Sequence, residues 1–426
     1  MRGDRVFART LLGVNGDAGQ RSLRSVLLTE GSSLTARETL TVLGSYNLQV
    51  DVLVSQRAPM AAFSGMRRRI VQAPRPGDDP LGYLGFLDRL VAEESYDAVL
   101  PTHEQAWLLA EASSLLSPGF PAALASAKAF RQLQGKVGFA RLLDKLGIPQ
   151  PPWVPLGEPS SCEPPFPFPF WVKASYGTAG RSVRKVHDRH GLERALADLS
   201  GAQSGGLMAQ SDAEGQYGQV QALFDHGRMV AVHTSVATGT GAGPSAAARM
   251  SVDFPAAREH ARVLGAHLGW HGPFTLDFLH TDGNPRYLEC NPRMIEPGNA
   301  WKAGVNLPLL LAKLSAGCDL GTKLRIGAAG ARTCSLQALL LGAAESRGTR
   351  RAVLDALLRR GRPHDETEVL TPVQDDPPSA IPLAAVAVRL LANPASVSAI
   401  ARKAIDAYSV GPAAIAELKA YAPPIA

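Results

Sequence analysis

From Arg24 onward, short apolar runs alternate with amphipathic stretches. Ser25-Val26-Leu27-Leu28-Thr29 reads as a buried strand, Gly31-Ser32-Ser33 as a turn, Thr35 to Gly44 as a helix and Val50-Asp51-Val52-Leu53-Val54 as a second strand. A helix around Gly82 to Glu94 feeds the strand Ala98-Val99-Leu100, and Pro101-Thr102-His103-Glu104 leads into a further helix. Strands joined through helices predict a parallel α/β sheet. Such a sheet presents ligands to the C-terminal ends of its strands. Gly31-Ser32-Ser33 and Thr102-His103-Glu104 are therefore candidate substrate contacts, although helix N-caps favour the same residue types.

The pattern then changes. Ser126 to Leu146 carries Phe139, Leu142, Leu143 and Leu146 at i, i+3, i+4 and i+7, which predicts a helix ended by Gly147-Ile148-Pro149. The proline-rich stretch Glu158 to Pro169 excludes regular helix and central strand, so it reads as a surface loop. A β-rich block follows: Phe170 to Lys173, Ser182 to Val186, Leu207 to Gln210, and a hairpin of Gln219 to Phe224 with Arg228 to His233. Ala237 to Ala248 is nearly all small residues, which predicts a mobile loop, either a lid or a plain connector. Beyond about Gly327 alanine and leucine dominate, with helices near Ser335 to Ala344, Arg351 to Arg360 and Ser396 to Tyr408. The fold class is thus α/β and α+β. The expected division is a flexible leader at 1–22, an N-terminal α/β domain at 23–125, two α+β subdomains at 126–206 and 207–325, and a small C-terminal domain at 326–426.

Composition narrows the partners. The 426 residues are 45% hydrophobic and 19% charged, an ordinary globular balance. The best candidate for a membrane span, Ile381 to Leu391, is interrupted by Pro382 and Arg389 and falls short of the roughly 18 apolar residues a span needs. No secretory signal is evident, so a cytoplasmic location is expected. Cys162, Cys290, Cys318 and Cys334 form neither a disulfide framework nor a CxxC pair. The net charge of +6 concentrates at Arg67-Arg68-Arg69 and between Arg347 and Arg362. Without interleaved aromatics these clusters read as solvated faces, and no nucleic-acid partner is expected.

The segment richest in chemistry is Phe274-Thr275-Leu276-Asp277-Phe278-Leu279, a turn through Thr281-Asp282-Gly283-Asn284, and Arg286 to Arg293. If a hairpin pairs Leu279 with Tyr287, Asp277 falls opposite Glu289 and Asn291 shares their face. Like charges placed so are unfavourable unless a cation lies between them, and hard oxygen ligands suit Mg²⁺. A surface hairpin with exposed acids is the plainer alternative. Upstream, Lys173 closes a strand before Ala174-Ser175-Tyr176-Gly177-Thr178-Ala179-Gly180-Arg181-Ser182. Such a small, glycine-containing turn lets backbone N–H groups approach phosphate oxygens, though an ordinary hairpin turn explains it as well. It is neither a Walker A sequence nor a GxGxxG turn.

In order, Gly135-Lys136 with Gly147-Ile148-Pro149, Trp171-Val172-Lys173 with its glycine loop, Met208-Ala209-Gln210 with Gly215-Gln216-Tyr217, and Asp277 with Leu288-Glu289-Cys290-Asn291-Pro292-Arg293 resemble the ATP-grasp superfamily over residues 25 to 320. The ending is most similar to the carbamoyl-phosphate synthetase, biotin carboxylase and amino-acid ligase branches. The resemblance implies an ATP-grasp fold behind an N-terminal α/β domain, with ATP held between two subdomains. It implies Lys136 and Lys173 on the phosphates, Ser175, Thr178 and Ala179 in the covering loop, and Gln210, Ser211 and Ala213 beside adenine. Asp277, Glu289 and Asn291 would hold two Mg²⁺ ions, for which Mn²⁺ could substitute. The family usually has glutamates where this chain has Gln210 and Tyr217, which puts the ribose contact in doubt. The implied activity is a carboxylate–amine ligase acting on small molecules through an acyl phosphate, with a homodimer left open. Arg293 is the candidate for stabilising transferred charge, with Arg249 and Lys302 as helpers; Glu296 is a candidate selector of a charged substrate group. The alternatives are a bicarbonate-phosphorylating enzyme and a non-catalytic nucleotide-binding regulator.

Overall fold

The computed structural model describes residues 23–57, 59–156, 164–177, 180–199, 205–243 and 245–421. The expected leader, Thr178 and Ala179 lie outside the described residues, as does part of the proline-rich stretch.

The N-terminal region runs β1 (Ser25–Leu28), α1 (Leu34–Gly44), β2 (Gln49–Val54), β3 (Arg69–Gln72), α2 (Pro80–Glu94), β4 (Ala98–Leu100) and α3 (Gln105–Glu111). Its sheet is parallel in the order β3-β2-β1-β4. Val26, Leu28, Val50 and Val52 are fully buried, as continuous apolar runs in a two-sided sheet require. Sequence reading missed β3 because arginines open it. Arg68 and Arg69 reach Asp51, whose side chain is fully buried, at 2.6 and 2.7 Å, and Arg69 also meets Glu94 at 2.8 Å. Burial works to raise the Asp51 carboxyl, but hydrogen bonds from Arg68, Tyr96 and Arg69 outweigh it and hold it below the usual range. The basic run thus neutralises an acid that β2 carries inward.

The expected helix over Ser126 to Leu146 is two: α4 (Ala127–Gln134) and α5 (Lys136–Leu146), separated by an extended Gly135. A Cβ at Gly135 would stand 2.8 Å from Ser175 Oγ, so the break lets two segments approach closely. Next come β5 (Trp153–Leu156), β6 (Phe170–Ala174), β7 (Val183–Val186), α6 (Arg189–Leu199) and β8 (Leu207–Ser211). They form an antiparallel sheet, β5-β8-β6-β7, with Leu192, Leu196 and Leu199 of α6 packed on Phe170 and Val172.

The largest sheet contains β9 (Gln216–Asp225), β10 (Arg228–Thr240), β11 (Ala246–Ser251), β12 (Gly272–Thr281) and β13 (Asn284–Asn291), in the order β13-β12-β9-β10-β11. Between β11 and β12, α7 (Pro255–Leu268) packs Ala257, Ala261 and Leu264 against Val220, Ala222, Phe224, Phe274 and Phe278. Alternation sends the intervening residues to the other face, which is polar. The segment expected to be a mobile loop is mostly paired strand: Ala237 opposes Arg249, Gly239 opposes Ala248 and Thr240 opposes Ala246. Its small residues serve close packing, since a Cβ on Gly239 would lie 2.7 Å from Arg362 Nη1. The lid expectation is therefore corrected.

The chain continues through α8 (Gly298–Lys302), α9 (Leu307–Ser315), β14 (Arg325–Ile326), β15 (Arg332–Cys334), α10 (Leu336–Arg347), α11 (Arg350–Leu357), β16 (Thr367–Glu368), α12 (Ala380–Ala392), α13 (Val397–Tyr408) and α14 (Pro412–Tyr421). Rather than standing apart, residues after 325 extend the largest sheet: β14 pairs with β10, β15 with β11 and β16 with β15. They then return to the N-terminal region, where Ala414, Ile415 and Leu418 join a core with Tyr83, Leu87 and Trp107. No described helix is long and apolar enough to cross a membrane.

One ion pair ties the two ends of the chain. Arg37 on α1 meets Asp376 at 2.6 Å with both side chains buried, and Asp376 also accepts from Ser64 Oγ and the Gly65 N–H. Removing one member of a buried pair strands the other charge. Asp376→Ala should therefore lower stability by on the order of 3 kcal/mol, seen as an earlier denaturant midpoint at an unchanged slope.

Candidate active site

The β12–β13 hairpin positions the acids. Its two-residue turn, Asp282-Gly283, uses left-handed backbone at both positions, φ 49° and 78°, the conformation that tight hairpins favour. Thr281 then opposes Asn284 and Leu279 opposes Arg286, not Tyr287 as expected from the sequence. A regular ladder from that turn would set Leu288 against Asp277. A bulge between Asp277 and Phe278 absorbs one residue, so Asp277 opposes Glu289 and Thr275 opposes Asn291. Phe278 and Tyr287 fill the core, while Asp277, Glu289 and Asn291 share the polar face.

Neighbouring strands complete that face. Gln219 of β9 lies opposite Asp277 on one side and Ser235 of β10 on the other. Tyr217 donates its hydroxyl to Asp277 Oδ1 at 2.8 Å, and Asn291 Nδ2 donates to Asp277 Oδ2 at 3.0 Å. Burial, then the facing Glu289 carboxylate, push the Asp277 carboxyl up to about 7. Glu289 keeps 40% of its side chain exposed to the cleft. Desolvation by the cleft walls raises it, but Lys136, Lys173 and Arg293 together outweigh that and hold it below the usual carboxylate range. The two facing carboxyls and the neighbouring Asn291 amide form a set of hard oxygens that suits a divalent cation.

The lysines arrive from a helix start and from the smaller antiparallel sheet. Lys136, at the start of α5, lies 3.5 Å from Glu289 and donates to the Gly177 carbonyl at 3.4 Å. Its backbone N–H donates to the Ser175 carbonyl at 2.9 Å, so the Gly135 break joins this helix to the glycine loop. Gly177 has φ 149°, and a Cβ there would collide with Ser182. Lys173 is buried at the end of β6 and donates to Gln210 Oε1 at 2.6 Å. Burial foremost, aided by Lys136 and opposed by Glu289, pulls the Lys173 ammonium down to about 8. Gln210 thus acts as a lysine partner from within β8, and Ser211 and Ala213 follow it toward β9.

Cations meet the N-terminal crevice on the opposite side. Arg293 is buried just past β13 with its Nε unpartnered among the described residues. Burial and the Arg293 charge drive the His103 imidazole well below its ordinary value, so it is neutral. Burial raises Glu104, against the pull of Arg293 and a hydrogen bond from the Val410 N–H. Arg249 of β11 is buried, its guanidinium 5.9 Å from the Tyr217 ring centroid and 3.7 Å from Glu296, with Nε and Nη1 unpartnered among the described residues. Glu296 itself has φ 41°, a strained position for a side-chain-bearing residue.

The structure therefore brings together Asp277, Glu289, Asn291, Lys136, Lys173, Ser175, Gln210 and Tyr217, with Arg293, Arg249, Glu296, His103 and Glu104 around them. Tyr217 faces the acids, with its hydroxyl on Asp277. Lys302 is not drawn in: it is exposed on α8, its ammonium 4.2 Å from the Trp301 ring centroid. Sequence reading missed Gln219, Ser235 and Glu38. The alternation Tyr217-Gly218-Gln219-Val220-Gln221 could have exposed the first; Glu38, in mid-helix, carries no such signal.

Glu38 accepts from the Gly298 N–H at 2.7 Å; burial and then the Glu296 charge push its carboxyl up to about 8. Between 4.5 and about 8 the folded chain holds a proton that the unfolded chain has released. The associated stability is present below that window and lost as pH rises through it. Glu38→Gln should match the parent at pH ~5 and exceed it by about 1 kcal/mol or more at pH ~8.5, measured by denaturant titration at the two values.

No protein-family profile matches the chain. Among curated proteins, multifunctional protein pyr1-3 of Dictyostelium discoideum is 28% identical over 174 residues, which is 38% of this chain and 8% of that protein. Among solved structures, a biotin carboxylase–β-γ-ATP complex from Campylobacter jejuni aligns with TM-score 0.56 and 16% identity, covering 70% of this chain and 72% of the other. The L-amino acid ligase from Bacillus licheniformis aligns with TM-score 0.54 and 17% identity, covering 70% and 75%. The chain shares the ATP-grasp fold with these structures.

Proposed function

We propose that this protein is an ATP-dependent ligase that activates a substrate carboxylate as an acyl phosphate and condenses it with an amine, releasing ADP and phosphate. One observation carries the reading: Asp277 and Glu289 stand opposite each other beside Asn291, while Lys136 from a helix start and Lys173 from a separate sheet reach the same cleft. The donor set is all hard oxygen, and the acids repel without a cation, so the residues fit Mg²⁺. When bound there, Mg²⁺ would supply charge neutralisation for the phosphates of ATP.

The chain's own groups do the positioning. Lys136 and Lys173 supply fixed positive charge to the phosphate oxygens, and the Gly177 turn lets backbone come close to them. Arg293, buried and with its Nε unpartnered among the described residues, lies close enough to His103 and Glu104 to shift both. In this reading it holds the transferred phosphoryl group and then the oxyanion formed when the amine attacks. The neutral His103 adds no competing charge there. Arg249 and Glu296 form an outer wall that can sort substrates by charge.

The test is a phosphate-release assay with ATP and Mg²⁺ over a panel of carboxylates and amines, singly and in pairs. ADP formation that needs one carboxylate and one amine supports the ligase. Turnover with bicarbonate alone supports a carboxylase-type reaction instead, and nucleotide binding without turnover across the panel contradicts catalysis.

A further inference from the structure

A cavity of about 630 Å³ opens beside the N-terminal sheet, and none of its lining residues belongs to the site above. That volume falls within the span of small-molecule sites, roughly 300–1,000 Å³. One wall is Ser55, Gln56 and Arg75, in the segments that follow β2 and β3. This is the carboxyl edge of a parallel sheet, where open α/β folds bind ligands. The other wall is one face of α13, with Ser398, Arg402 and Asp406 four residues apart.

The lining favours an anion. Arg75 spends its two terminal nitrogens on Asp78 and the Asp406 carbonyl, which fixes its position without neutralising the second wall. Asp406 is already paired, accepting from Arg181 Nη1 at 2.8 Å. Arg402 is exposed to the opening, with no side-chain partner among the described residues. Gln56 donates to Ser32 Oγ, and Ser398 adds a hydroxyl to the lining. Of the charged lining groups, Arg75 and Asp406 are each already paired, which leaves the Arg402 guanidinium as the charge that faces the cavity.

Arg181 belongs to the glycine loop, and its Nη2 also reaches the Arg402 carbonyl at 3.5 Å. The same turn of α13 that lines the cavity therefore holds the loop. We infer that this cavity binds a small molecule bearing a carboxylate or phosphate group, and that its occupant, by ordering α13, strengthens the hold of Asp406 on the glycine loop. The binding stands on the cavity alone. The coupling rests on the proposed role of that loop in covering the phosphates of ATP.

The experiment titrates the full chain calorimetrically with inorganic phosphate and, separately, with citrate. Saturable binding of either probe is expected, weakened roughly tenfold or more by Arg402→Ala and unchanged by Arg351→Ala, a surface arginine elsewhere. The probe that binds tells phosphate from carboxylate recognition. No saturable binding of either at millimolar concentration, or equal binding by Arg402→Ala with its thermal transition intact, would overturn the site. A second titration, of a non-hydrolysable ATP analogue, should show tighter binding with the probe present; an unchanged affinity would overturn the coupling. Should the chain bind no nucleotide at all, the ligase reading falls while the first isotherm still decides the cavity.

Discussion

Glu289→Gln should abolish turnover while leaving the fold intact. The substitution keeps the size of the side chain and its place opposite Asp277, but removes the charge that Lys136, Lys173 and Arg293 stabilise. Three cations would then converge on a neutral amide, and the oxygen set would lose its one strongly ionised member. A loss in kcat of about a thousandfold or more follows from the scale of electrostatic contributions at phosphoryl-transfer sites. Circular dichroism and the thermal midpoint should match the parent, since Glu289 is partly exposed and packs no core. Near-normal turnover would remove the acid pair from the mechanism.

The second large effect belongs to Arg293. Arg293→Ala should reduce kcat by about a hundredfold to a thousandfold with a smaller change in KM for ATP, because the charge it is proposed to stabilise develops during transfer. Arg293→Lys should recover little, since a lysine lacks the planar fork of a guanidinium. His103 gives an independent readout. With Arg293 gone, its imidazole loses a repelling neighbour and should titrate closer to its ordinary value, which NMR can follow. A collapse of ATP affinity with unchanged kcat would instead make Arg293 a nucleotide-binding group.

Much of this site was legible in the residues because strand alternation is rigid. Once Asp277, Glu289 and Asn291 are assigned to one hairpin, period-two geometry puts them on one face. The bulge was not legible: a two-residue turn and the Glu289 register conflict by one residue, and only packing of Phe278 against Tyr287 decides where the extra residue goes. Gly135 was readable as a glycine but not as a helix break, because the reason for it, Ser175 at close range, is far away in sequence. The small-residue run at 237–248 misled for the same cause. Its partners on α10 and in Arg362, whose Nη1 donates to the Thr238 carbonyl, lie about a hundred residues on. The return of α14 to the N-terminal core is a long-range event of the same kind, invisible to local periodicity.

The most direct measurement is anomalous diffraction from crystals grown with a non-hydrolysable ATP analogue and Mn²⁺. The account predicts manganese signal among Asp277, Glu289 and Asn291, with the phosphates between it and the ammoniums of Lys136 and Lys173. Nucleotide bound elsewhere, or manganese absent from those oxygens while nucleotide occupies the cleft, would contradict it.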